Sequence, residues 1–164
     1  MHVQKTMRIL SRLAFLALLL QHCAGSAGLP TAEDFTQALR TEQMATTFER
    51  LVEGGGGFEN LLGKEKYTLI VPLDATFAEL GIDELMVLMN PVNAAAGTEI
   101  VKGHIATGAF SPNKLPSAGN LTLLNGKTVP VSNPASGLQI GGATVVKTIK
   151  TKQGYLYFVN RILK

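Results

Sequence analysis

Thr68-Leu-Ile-Val-Pro-Leu-Asp-Ala-Thr-Phe77 is the stretch on which the fold turns. With Tyr67 before it, the segment to Val71 is rich in β-branched and aliphatic residues, the composition of a buried strand. Pro72 ends it. Proline lacks an N–H, so the strand is expected to close at an edge, where the missing donor does least harm. Upstream, residues 30–62 read as helical. Pro30-Thr31 followed by Asp34 is a helix start, and Met44, Phe48, Leu51 and Val52 recur at the spacing of one helical face. Gly54 should stop that helix, and the tetraglycine 54–57 should break the chain before Phe58-Glu-Asn-Leu-Leu62. No Gly-Lys-Ser/Thr follows the glycines, so they do not read as a phosphate loop. Downstream, Asp83 to Met89 is a short apolar helix closed by Asn90-Pro91, and a second helical piece lies near Ile100 to His104.

After Gly108 the texture changes to short strands. Leu121 to Leu124 and Lys127 to Val131 flank Asn125-Gly126, a strong short hairpin signal. Leu138 to Ile140 and Ala143 to Ile149 flank Gly141-Gly142, and a third reversal at Lys152-Gln-Gly154 leads into the last strand. Helices first and antiparallel strands later imply an α+β fold without alternating βαβ units.

The N-terminus has the parts of an export signal. Lys5, Arg8 and Arg12 precede the apolar run Leu13 to Leu20, which small residues from Ala24 to Gly28 follow. The run is far shorter than the roughly 20 residues that span a bilayer. Residues 1–27 are therefore expected to be a signal peptide, and residues 28–164 one domain. Cleavage after Ala27 removes the single cysteine, Cys23, and leaves His104 as the only histidine. The remainder holds 12 cations against 12 acids. All the acids lie between Glu33 and Glu99, and from Ile100 onward there are eight Lys or Arg and no acid. If the halves are spatially distinct the domain is a dipole, with an anionic surface as a natural partner for its later half. The alternative is an acidic helical face with lysines guarding strand edges.

Few side chains suggest chemistry. Without cysteine there is no thiol nucleophile or thiolate metal site, and one histidine serves at most one triad or gives one ligand. The aspartates lack EF-hand spacing. No basic-aromatic motif points to nucleic acid. No cofactor and no metal are expected. Asn120-Leu-Thr122 is a sequon at the entry to the first hairpin, so Asn120 is a candidate glycosylation site in a eukaryotic secretory route.

Several segments together resemble the fasciclin domain family. Thr68 to Phe77 is similar to its first signature, T-V-F-A-P-T-N-E-A-F: Thr68, Pro72 and Phe77 match, and Asp74 stands where the family has Asn or Asp. Phe48-Glu-Arg-Leu-Val52 and Phe58-Glu-Asn-Leu-Leu62 resemble the helices before that strand. Val101-Lys-Gly-His-Ile-Ala-Thr-Gly108 resembles the central Y-H-V-V-P-G segment, with His104 and Gly108 matching, Gly103 in place of the tyrosine and Thr107 in place of the proline. Asn120 to Lys127 resembles S-L-T-T-L-x-G-x. Gly154 to Leu163 resembles G-x-I-H-V-I-D-R-V-L, with Arg161 and Leu163 matching, Asn160 for the aspartate and Tyr157 for the histidine. The resemblance spans about residues 31–163.

It implies an α+β fold, a twisted β-sandwich or wedge with helices packed around it. Phe77, Phe158, Val159 and Ile162 are then core. It also implies an Asp74–His104 hydrogen bond joining the end of the first strand to the central helix. The implied function is non-catalytic: secreted adhesion or matrix interaction with an extracellular protein or an anionic polysaccharide, with weak self-association as a further expectation. Lys147, Lys150, Lys152 and Arg161 are the candidate anion-binding residues. The rival reading is a small hydrolase or ligand carrier with a cleft near His104, whose mark would be a deep pocket holding that imidazole or paired carboxylates open to solvent.

Overall fold

The computed structural model describes residues 28–163; the expected signal segment, residues 1–27, lies outside them. The helical region resolves into α1 (Phe35–Thr41), α2 (Thr46–Gly54) and α3 (Phe58–Leu61). Asp34 caps α1, its carboxylate accepting from the Gln37 amide at 2.8 Å. α2 ends at Gly54 and buries Phe48, Leu51 and Val52. Met44, read as part of that face, instead precedes the helix and is exposed. The tetraglycine is a tight turn in which Gly56 and Gly57 take φ of 89° and 82°, values glycine adopts without a Cβ penalty.

The segment opened by Thr68 is β1 (Tyr67–Pro72), followed at once by α4 (Asp74–Phe77). α5 (Ile82–Met89), a 3₁₀ turn at Pro91–Asn93 and α6 (Ala94–Lys102) come next. α6 begins earlier than its pattern suggested and stops before His104, which leads into β2 (Ile105–Thr107). Then follow α7 (Leu115–Ala118), β3 (Asn120–Thr122), β4 (Thr128–Ser132), β5 (Gln139–Ile140), β6 (Ala143–Lys150) and β7 (Gly154–Val159). The three reversals fall where the glycines stand. Gly141 and Gly142 both have positive φ, 59° and 78°, as a two-residue hairpin turn requires.

The strands form one sheet in the order β2-β1-β7-β6-β5-β4-β3. All neighbours are antiparallel except β1 and β7, whose parallel register runs from Tyr67↔Gly154 to Pro72↔Val159. β1 is thus an inner strand, and the expected edge position of Pro72 is corrected. The proline is tolerated because β2 pairs only with Tyr67 to Leu69. The Ile70 amide, which faces that side, is taken by the His104 carbonyl at 2.8 Å. Position 72 faces the same way, beyond the end of β2, where no donor is needed.

Alternation along β1 and β7 feeds two cores. Leu69, Val71, Ile149, Leu156 and Phe158 pack against α1, α2, α3, α5 and α6, together with Phe35, Phe48, Phe77 and Val101. Ile70, Tyr157 and Val159 face the other way, onto Leu115, Leu121, Val131 and Ile140. The sheet curls around this second core until its outer strands meet. Ala106 bridges Leu123, and the Leu124 amide donates to the Ile105 carbonyl at 2.8 Å. Phe77, Phe158 and Val159 are core, with Ile162 half-buried against the helix-side cluster. The architecture is a mixed α+β wedge, with α1 to α6 on one side of a curled sheet and the short α7 against the core on the other.

Candidate functional site around His104

The Asp74–His104 hydrogen bond does not form. α2 begins after Ala45, which supplies no side-chain cap, and Asp74 fills that place from 28 residues away. Its carboxylate accepts from the Thr46 amide at 3.1 Å, the Thr46 hydroxyl at 2.8 Å and the Thr47 amide at 2.7 Å. A negative charge there also meets the positive end of the helix dipole. Partial burial pushes the Asp74 carboxyl upward, but the bonds from Thr46 and Thr47 outweigh it and hold the group below its ordinary range. Its own amide donates to the Met44 carbonyl at 2.8 Å. Asp74 therefore stitches the end of β1 to the start of α2 and shares no hydrogen bond with the histidine.

His104 is satisfied from other directions. The ring is 1% exposed. Nδ1 lies 2.7 Å from the Ile100 carbonyl, and the Leu163 amide donates to Nε2 at 3.0 Å. A carbonyl on one nitrogen and an N–H on the other select the neutral tautomer with its proton on Nδ1. Phe48 packs edge-on against the ring at 5.8 Å. Burial lowers the pKa to about 4, against a smaller upward pull from the Ile100 carbonyl. The histidine thus ties the turn after α6 to the C-terminal residues following β7. Both nitrogens are used, so it has neither a lone pair for a metal nor a base for a substrate.

Above it lies a shallow cleft of about 280 Å³ between α6 and the β3–β4 turn. Leu123 and Leu163 supply apolar walls, and Glu99, Asn125 and Lys127 its polar rim. Gly103 lines it: a Cβ there would stand 2.8 Å from Asn125 Nδ2. The Asn125 side chain therefore occupies the space that a side chain at position 103 would need. His104 lines the floor of the cleft but is 1% exposed with both nitrogens bonded, so it offers the hydrolase reading no free imidazole base.

The four candidate cations do not form one patch. Cross-strand partners share a face of the sheet. Lys147 sits opposite Phe158 on the helix side, whereas Lys150 sits opposite Tyr155 on the other. Lys147 pairs with Glu42 of the loop after α1, and Lys152 pairs with Glu33. Cations of the later half are thus partly neutralised by acids of the earlier half, and the two halves are not spatially separate at these points. The Glu33 carboxylate raises the Lys152 pKa, although a pair this exposed contributes little to stability. Lys150 and Arg161 are exposed. Asn120 is exposed at the first residue of β3, a position open to modification.

Sequence reasoning missed a second polar cluster. Thr68, fully buried, donates to the Gly108 carbonyl at 2.7 Å and accepts the Phe110 amide at 3.0 Å. The Tyr157 hydroxyl donates to the Phe110 carbonyl at 2.6 Å, and burial, then the neighbouring Tyr155, raises its pKa. Together they pin the loop after β2 to β1 and β7. The only local hint was a threonine and a tyrosine in otherwise apolar strands. Among the described residues no cluster of His, Cys, Asp and Glu could hold a metal ion.

Comparison with known proteins places this geometry. The fold matches a solved FAS1 domain pair from the insect cell adhesion molecule fasciclin I, with a TM-score of 0.71 at 13% identity. The match covers 82% of this chain and 51% of that one, so the chain spans about half the length of the solved pair. No curated protein matches in sequence. The profile of the fasciclin domain matches residues 43–164. With that profile across most of its length and the same wedge around its single described histidine, the chain belongs to the fasciclin domain family, whose domains are adhesion and interaction modules.

Proposed function

We propose that this chain is a secreted, non-catalytic interaction module that binds a protein partner at a cell surface or in the extracellular matrix. The observation that carries the reading is the use of His104. The one histidine of the described residues is buried, neutral and bonded through both nitrogens, so it acts as a structural tie. The export-like N-terminus motivates the compartment. A protein partner is favoured over an anionic polysaccharide because Lys147 and Lys152 are engaged by Glu42 and Glu33, and Lys147 and Lys150 face opposite ways. The test is an array of matrix proteins and acidic glycans probed with residues 28–164 at about 0.15 M and 0.5 M salt, where the Debye length shrinks from about 8 Å to below about 5 Å. The expected result is protein binding that persists at high salt. Binding confined to acidic glycans and lost at high salt would replace this reading with a charge-driven one.

A further inference from the structure

α5 has an apolar surface that the fold does not use. Its sequence, Ile82 to Met89, is apolar on nearly every side, a composition that normally belongs to a helix buried all round. Here only Leu88 is buried, with Leu85 and Met89 half-covered. Ile82 is 74% exposed, Met86 66%, Val87 52%, and Val92 in the following 3₁₀ turn 89%. Ile82 and Met86 are one turn apart on one face. Asn93 Nδ2 donates to the Val87 carbonyl at 3.4 Å, holding the turn that carries Val92 against that end of the helix. Val92, Ile82 and Met86 are the three most exposed of the bulky apolar side chains described, and with Val87 they fall within eleven residues. Single exposed apolar residues are ordinary, but a cluster marks a contact surface. A groove of about 240 Å³ lies beside it between α5, α6 and the end of α2, with Leu51, Leu88, Met89, Pro91 and Gly97 in its walls and the exposed Arg50 on its α2 side, away from the two acids of α5.

The charges around the patch select the occupant. At 100° per residue, Asp83 falls between Met86 and Val87 on the helix surface, and Glu84 on the far side of Val87. Neither makes an ion pair among the described residues. A lipid surface would have to desolvate Asp83 without a counter-charge, which is costly. A protein segment with cations beside its apolar side chains pairs with both carboxylates while covering the patch. Resting on the reading of the chain as an interaction module, we infer that the α5 face and its groove dock an amphipathic helix of a partner protein. The helix places apolar side chains over Ile82, Met86 and Val92, and Lys or Arg against Asp83 and Glu84.

Two synthetic helices of about 15 residues test this, one with leucine and lysine at helical spacing and one with glutamate in place of lysine, titrated into ¹⁵N-labelled residues 28–164. The expected result is that the Leu/Lys helix shifts the amides of residues 82–92 with a Kd on the order of 10–100 μM, and the Leu/Glu helix binds at least tenfold more weakly. Met86→Lys with Val92→Lys should cost a further tenfold or more. Asp83→Lys with Glu84→Lys should reverse the preference between the helices. Far-UV circular dichroism checks that these surface variants remain folded. Equal affinity for both helices, shifts mapped elsewhere, the same residues shifting with phosphatidylcholine vesicles alone, or concentration-dependent dimerisation through them would overturn the inference. If a partner found on the array binds Met86→Lys/Val92→Lys as well as wild type, the docking surface is wrong while the module reading stands. If the peptides behave as expected and the array stays empty, the module reading lacks its partner while the surface is real.

Discussion

At the scale of single residues, two side chains singled out for one shared bond make separate ones, and their separate roles predict separate losses. Asp74 caps α2 from a distance, so Asp74→Ala should cost about 1–2 kcal/mol in urea unfolding. Asp74→Asn should recover part of this, because an amide oxygen still accepts an N–H but brings no charge to the helix dipole. The pH dependence separates the two residues further. His104 has a folded pKa of about 4 against an ordinary 6.5, so between those values the unfolded chain binds the proton and the folded chain does not. Stability is then full above pH 6.5 and falls as the pH drops toward 4, by on the order of 2–3 kcal/mol. Asp74 has a lowered pKa, so its contribution is present above the ordinary carboxylate value of 3.8 and is lost only below it. Unfolding followed from pH 7.5 to 3 should show the first slope in wild type and a flattened one in His104→Gln. An unchanged slope in that variant would mean the histidine is not the group that titrates.

At the scale of elements, glycine positions divide into those that turn and those that touch. Gly142 has φ 78° with open space where a Cβ would go. Gly142→Ala should therefore cost only the left-handed backbone preference, about 1–2 kcal/mol. Gly154 begins β7 against β1, and a Cβ there would lie 1.8 Å from the Tyr67 carbonyl oxygen. No rotamer relieves a clash between a Cβ and main chain, so Gly154→Ala should push apart the parallel pair, with a loss of about 4 kcal/mol or more. Parallel thermal melts of the two alanine variants check this ordering. Element types were legible where patterning was local: the hairpin glycines, the stop at Gly54 and the apolar run from Tyr67 each lie next to the structure they specify. β2 and α7 were not legible, because three or four residues carry too few side chains to display a period.

At the scale of the whole molecule, β1 and β7 belong to both cores. Leu69, Val71, Leu156 and Phe158 face the helices, and Ile70, Tyr157 and Val159 face the curled sheet. Neither core can lose its order while the other keeps these strands in place. Phe158→Ala on one side should cost about 3–5 kcal/mol and Ile140→Ala on the other about 2–5 kcal/mol. Each should shift far-UV and tyrosine near-UV signals together, in one transition. Two separated transitions in either variant would show that the cores unfold independently. The charge asymmetry along the chain also resolves at this scale. Lys147 with Glu42 and Lys152 with Glu33 bring the basic later half against the acidic earlier half, so what is a gradient in sequence is partly cancelled in space.

The sequence by itself determined the class of fold, the turns, part of the core and the family resemblance at four signature segments. Those features depend on neighbouring residues: side-chain period, turn conformation and runs of matched positions. Tertiary structure alone decided which partners the polar residues take. Asp74 bonds to Thr46 and Thr47 and not to His104, His104 bonds to Ile100 and Leu163, and Lys147 turns to Glu42. A buried donor or acceptor must be paired, yet the requirement does not name the partner. The choice follows from which chain segments the parallel β1–β7 pairing and the curl of the sheet bring within about 3 Å of one another, and those segments are far apart in sequence.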